Sequence, residues 1–309
     1  MKSIFVTGGS GFLGSFLISE LRSLGYHVDA PSSRDCNLLS KQSLDQYANR
    51  SYEVIFHLAA WTQAGDFCLT HPGEQWLNNQ LINTHVLNWW FESQKKAKLI
   101  FMGTSCSYDP NIGLKESDYM LGSPVESLYT YAMTKRMLYQ GAVALGKQYD
   151  LKWLCLVPST LYGPNYHLDG RQMHFIFDLI RKILRGKMYG EDVVLWGDGM
   201  QKREIIHVID FVRTMLKIAF KVENDIYNLG FGEEISIRSF AEIICDEVGY
   251  DFNQINFDTT KYVGATSKCL NIEKIEKELP GYKQNLTEVS VGLKGTIEWF
   301  VANKAYEKQ

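Results

Sequence analysis

Two residues one helical turn apart, Tyr131 and Lys135 in YTYAMTKRM, have the types and spacing for proton transfer. On a helix, positions i and i+4 share a face. An ammonium beside a phenol favours the phenolate and lowers the tyrosine pKa from its usual value of about 10. The pair therefore predicts a phenol that gives or takes a proton near neutral pH. Tyr129 offers a competing register, but only Tyr131 stands four before Lys135. Upstream, FMGTSCSYDP passes from apolar into small polar residues and puts a hydroxyl, Thr104, and a thiol, Cys106, where a strand empties into a loop. A lone cysteine there is either a small buried filler or a reactive group. Near the N-terminus, VTGGSGFLGSFL sets Gly8, Gly11 and Gly14 three apart. Glycines so placed between a strand and a helix allow a tight turn, and the helix N-terminus then faces an anion. Gly8, Ser10, Gly11, Phe12, Leu13 and Gly14 are the candidate dinucleotide loop.

The elements that must hold these groups alternate. SIFVTG, YHVDAP, YEVIFHLAA, AKLIFMGTS and LKWLCLVPS read as strands, several of them nearly continuous in apolar residues, as strands covered on both faces are. Between them lie helical patterns at 12–25, 74–96 and 129–150. Repeated β-α-β-α order predicts the α/β class with a parallel sheet. After LYGPNY, near residue 165, the rhythm weakens. HFIFDLIRKILRG reads as a helix, DVVLWGDGMQKREIIHVIDF as two short strands around a Gly-rich turn, and IYNLGFGEEISIRSFAEIICDEVG as strand, turn and helix with Ser236 as N-cap.

Bulk properties exclude several classes. With 309 residues, 45% apolar and 22% charged, the chain has the composition of an ordinary globular enzyme. A net charge of −3 with scattered basic residues gives no nucleic-acid stripe. No signal peptide and no membrane-length apolar run is visible. The six cysteines stand singly, which suits reduced thiols in a cytoplasmic protein rather than disulfides or a metal site.

Cofactor type is read at the end of the second strand, where an NAD site places a carboxylate for the ribose 2′-hydroxyl. That spot falls near Ser32 in APSSRDC, with Asp29 too early in the strand. Hydroxyls and the Arg34 cation suit a 2′-phosphate better, so NADP is expected over NAD.

The glycine loop, Thr104 and the Tyr131–Lys135 pair agree in order and distance. With IFHLAA, TSCSY and LYGP, they resemble the extended short-chain dehydrogenase/reductase superfamily over nearly the whole chain. The resemblance implies a Rossmann doubly wound parallel sheet with a smaller C-terminal substrate lobe. The sheet domain would take 1–165 and about 203–230, and the lobe 166–202 and 231–309. It also implies Leu58, Ala59 and Ala60 beside the cofactor, and Thr104 and Tyr131 hydrogen-bonding the oxygen at C4 of a nucleotide-sugar. Within the superfamily the chain is most similar to the GDP-L-fucose synthase family. That likeness implies Cys106 and His174 as the base and acid of a double epimerisation, chemistry that groups titrating near neutrality can perform. It implies Trp196 and Gly197 near the guanosine of a GDP-linked sugar, and Lys182 and Arg203 on its pyrophosphate. Ser105 and Cys106 replace the Asp-Glu pair of the related 4,6-dehydratases.

Some positions depart from that family: Ser10 stands for an arginine, Thr160 for an asparagine, and TSKCLN for Arg-Lys-x-Leu-Asp. An alternative therefore stays open, a C4 dehydrogenase/reductase on a GDP-heptose with tightly bound nicotinamide. The resemblance further implies a homodimer through helices near 79–92 and 131–146. Trp89, Trp90 and Phe91 would either line that interface or belong to the core.

Overall fold

The computed structural model describes residues 2–261 and 266–307. Strands β1 (Ser3–Thr7), β2 (His27–Asp29), β3 (Val54–His57), β4 (Lys98–Met102), β5 (Trp153–Pro158) and a later strand, β10 (Asp225–Leu229), form one parallel sheet in the order β10-β5-β4-β3-β1-β2. Its strands are almost wholly buried, which is why they read as continuous apolar runs. The chain leaves β1 for β2 on one side and returns to β3 on the other. The crevice between the ends of β1 and β3 is thus a topological switch point, where doubly wound sheets bind ligands.

Helices α1 (Phe12–Ser23), α2 (Phe67–Thr70), α3 (Pro72–Ser93) and α4 (Tyr129–Tyr149) connect these strands. Pro72 occupies the first turn of α3, where no intrahelical N–H is needed. Trp89 (4% exposed) and Trp90 (0%) are core residues: Trp89 lies 4.9 Å from the ring of Phe5, and Trp90 donates to the Ala97 carbonyl at 2.8 Å. Phe91 packs on Tyr149, ring centroids 4.5 Å apart. Trp89 and Trp90 thus belong to the core, the second of the two places the sequence left open, while Phe91 is half-buried.

The chain forms two compact units: Met1–Thr62 with Asp66–Pro158 and Phe211–Leu229, and Gln63–Gly65 with Ser159–Asp210 and Gly230–Gln309. The second contains three short strand pairs. They are β6 (Thr160–Tyr162) with β9 (Ile205–His207), β7 (Val194–Trp196) with β12 (Asn256–Asp258), and β8 (Lys202–Arg203) with β11 (Ile235–Ser236). Its helices are α5 (Phe175–Tyr189), α7 (Ile237–Val248), α8 (Glu273–Glu278) and α9 (Val289–Ala302). Helix α6 (Val208–Ala219) starts in this unit and ends in the first. Ser236 caps α7, its hydroxyl accepting the Ser239 N–H at 3.0 Å. Among the described residues, no helix is long and apolar enough to cross a membrane.

Candidate active site

The loop after β1 fits a dinucleotide. Gly8 has φ +71°, and a Cβ there would lie 2.7 Å from the Ala59 backbone nitrogen. A Cβ on Gly14 would lie 2.3 Å from the Gly8 carbonyl. Only glycine at both positions lets the loop close on the residues after β3. Helix α1 begins at Gly11 with no side-chain cap and no acidic residue in its first turn, so its N-terminal dipole is left for an anion. At the other end of this cradle, Asp29 is already committed to Tyr52 (2.6 Å) and Arg50 (2.8 Å). Ser32 donates to Asp35 at 2.6 Å, and Arg34 is exposed beside it.

Strand β4 delivers Thr104 to the start of a single 3-10 turn, Ser105–Ser107. The Thr104 hydroxyl accepts the Cys106 N–H at 3.2 Å, which fixes the thiol-bearing residue two positions past Thr104. Cys106 is half-buried. On α4, the Lys135 ammonium lies 5.8 Å from the centre of the Tyr131 ring. Burial pushes the Tyr131 phenol above its ordinary value, and Cys106 and Cys68 push the same way. This corrects the expectation of a lowered pKa: at this separation the desolvation of the phenolate outweighs the ammonium. Burial also pushes Lys135 down to about 8. Behind it, His57 is held down at about 3 by burial and by Lys135, and its ring nitrogens pair with Thr7 (2.8 Å) and Asn83 (3.1 Å).

In the second unit, a cavity of about 730 Å³ is lined by Lys182, Trp196 and Arg203, and also by Arg171, Arg181 and Asp178. Asp178 pairs with Arg181 at 2.6 Å and with Lys182 at 3.1 Å on the same helix, and Arg171 pairs with Asp169. Four cations against these carboxylates leave an excess of positive charge, suited to a diphosphate. Gly197 is not part of the lining; it is buried, and its N–H donates to Asp258 at 2.8 Å. His174 stands at the N-cap of α5, between the lining residues Met173 and Phe175. It keeps accessible surface, yet crowding by protein, with His167 and Lys268 as positive neighbours, pushes its imidazole down to about 4.

Arg171, Asp178 and Arg181 were not singled out from the sequence, and Lys268 was met only as part of TSKCLN. Arg181 could have been found from its place three residues after Asp178 on a predicted helix. Arg171 lies in an irregular segment that carries no such signal.

The family model for the NAD dependent epimerase/dehydratase family matches residues 4–230. A GDP-L-fucose synthase of Azorhizobium caulinodans is 26% identical, over 99% of both chains. A GDP-L-fucose synthetase of Naegleria fowleri, solved bound to NADP, superposes with a TM-score of 0.84 at 23% identity, covering 98% of this chain and 95% of the other. A GDP-6-OMe-4-keto-L-xylo-heptose reductase of C. jejuni superposes with a TM-score of 0.86 at 19% identity, over 98% of each chain.

Proposed function

The chain belongs to the NAD dependent epimerase/dehydratase family, and from that premise we propose that it epimerises and reduces a GDP-linked 4-keto-6-deoxyhexose, using NADP(H). The named activity of the Azorhizobium relative supports the substrate class, and the NADP of the Naegleria structure supports the cofactor. The glycine loop, with Leu58, Ala59 and Ala60, would hold the cofactor and Ser32 and Arg34 its 2′-phosphate, and the nicotinamide would supply the hydride. The protein's own residues handle protons. A phenol of raised pKa arrives protonated, so Tyr131 is a proton donor to the oxygen at C4, with Thr104 holding the same oxygen. Lys135, protonated below about pH 8, stabilises the phenolate left behind.

The observation that carries this reading is the turn after β4. It sets a thiol two residues beyond Thr104 and electrostatically coupled to Tyr131, with no carboxylate pair for water elimination. In this role Cys106 takes the proton from the carbon beside the 4-keto group, the electron pair moves to the carbonyl oxygen, and His174 returns a proton on the opposite face. In the protein alone the His174 imidazole is pushed down to about 4, so its role as acid depends on what the bound substrate adds. Ser10, Thr160 and TSKCLN, which depart from the fucose synthase pattern, and the named activity of the C. jejuni structure support a second reading, a C4 reductase acting on a GDP-heptose.

In Cys106→Ser, deuterium exchange at C3 and C5 falls by about a hundredfold or more while direct C4 reduction continues. Unchanged exchange would return Cys106 to packing. Wild-type reduction of a 4-keto-heptose with no exchange at all would select the second reading.

The protein is further proposed to be a homodimer through α3 and α4, on which Leu77 (62%), Leu81 (43%) and Met137 (44%) are exposed. Among the described residues its six cysteines form no disulfide, which suits the reducing cytoplasm.

A further inference from the structure

Arg136, next to Lys135 on α4, is buried; among the described residues no carboxylate forms an ion pair with it, and Asp109 acts on it only at longer range. Its guanidinium spends its donors on main-chain carbonyls. Nε and Nη2 both donate to Ser107, at 3.0 and 2.5 Å, Nη2 also to Leu121 at 2.6 Å, and Nη1 to Gly122 at 2.8 Å. A buried guanidinium is unfavourable unless its donors are satisfied, and an aliphatic side chain would fill the space without that penalty. What the arginine adds is direction: a planar fork that fixes carbonyls from two loops relative to one helix.

One of those loops carries the thiol. Ser107 ends the 3-10 turn that contains Cys106. The front of this turn is held by the Thr104 hydroxyl, and its rear by Arg136 and by the Ser107 hydroxyl donating to Ala132 at 3.2 Å. The second loop is braced against the first. Asp109 accepts the Ser123 N–H at 2.9 Å, and Gly122, at φ +58°, is so close that a Cβ would lie 2.2 Å from the Asp109 carboxylate. Tyr131 and Lys135 need no such brace, because α4 holds them through its own backbone. Thr104 stands two residues past the buried strand end and is itself buried. Of the four groups, only Cys106 depends on a single irregular turn.

We propose that Arg136 is a positioning residue for Cys106, which sets the thiol for proton abstraction without serving the hydride step. This rests on the epimerase reading above. The test compares wild type with Arg136→Met and Arg136→Lys in three measurements. The first is iodoacetamide alkylation of Cys106 in the free protein, followed by peptide mass spectrometry. The second is deuterium uptake at C3 and C5 of GDP-4-keto-6-deoxymannose. The third is single-turnover reduction of NADP by GDP-fucose, which begins with the hydride at C4.

In Arg136→Met, the alkylation rate shifts by about threefold or more and deuterium uptake falls by about tenfold or more, as when a reacting group is displaced by an ångström. The hydride step loses less than about threefold, and Arg136→Lys, which keeps part of the fork, recovers much of the uptake. Equal loss of uptake and hydride transfer would make Arg136 merely structural, and an unchanged alkylation rate would overturn the proposal. Should Arg136→Met not fold, Arg136→Gln, which keeps polar donors but loses the fork that reaches both loops, takes its place in the same comparison. If wild type shows hydride transfer but no uptake, the epimerase reading fails, and alkylation alone decides whether Arg136 sets the thiol.

Discussion

At Lys135, burial and function pull in opposite directions. The ammonium's pKa drops from 10.5 to about 8 through desolvation. Between those values the unfolded chain binds more protons than the folded one, so stability rises with pH across about 8 to 10.5 and carries a constant penalty below. Lys135→Met, which removes the buried charge, therefore raises the melting temperature at pH 7 by about 3–6 °C. The difference closes as pH climbs through that window, and hydride transfer is lost throughout. A lower melting temperature than wild type at every pH would contradict this, and thermal unfolding from about two pH units below the shifted value to above the unshifted one decides it. The same residues mark where sequence reading stopped. The i+4 spacing of Tyr131 and Lys135 is legible, but the sign of the phenol's shift depends on burial and on Cys68 and Cys106, which reach it through tertiary packing.

Helices were legible from period and caps where one face is apolar, as in α5, and where a cap residue sits at the boundary, as Ser236 does for α7. In α3 the signal fails at Trp89-Trp90-Phe91, since three consecutive large apolar residues mark every direction at once and cannot name the solvent side. The short helix α2 has too few residues for any period to appear. The proposed self-association would use the exposed residues of α3 and α4. Leu81→Glu with Met137→Glu places charges on that stripe and should convert a dimer to monomer in sedimentation velocity, with NADPH binding retained. A wild-type monomer, or a double variant that stays dimeric, would remove this face from the interface.

Across the whole chain, long-range pairings were the least legible. The apolar residues of IYNLG mark a strand, but its seat beside β5 is a register with residues 154–158, seventy positions away, that no local pattern encodes. The cationic cavity is likewise assembled from Gly65, segments spread over 168–203, and Ile237. The dinucleotide loop was readable because strand, glycines and helix are contiguous. The most direct test of the proposed epimerase and reductase uses the intact protein. GDP-4-keto-6-deoxymannose is incubated with it in heavy water without added nicotinamide, and the sugar is followed by NMR and mass spectrometry. Deuterium entering at both C3 and C5, followed by conversion to GDP-fucose on adding NADPH, is the expected result. Reduction on adding NADPH with no deuterium at either carbon would contradict it.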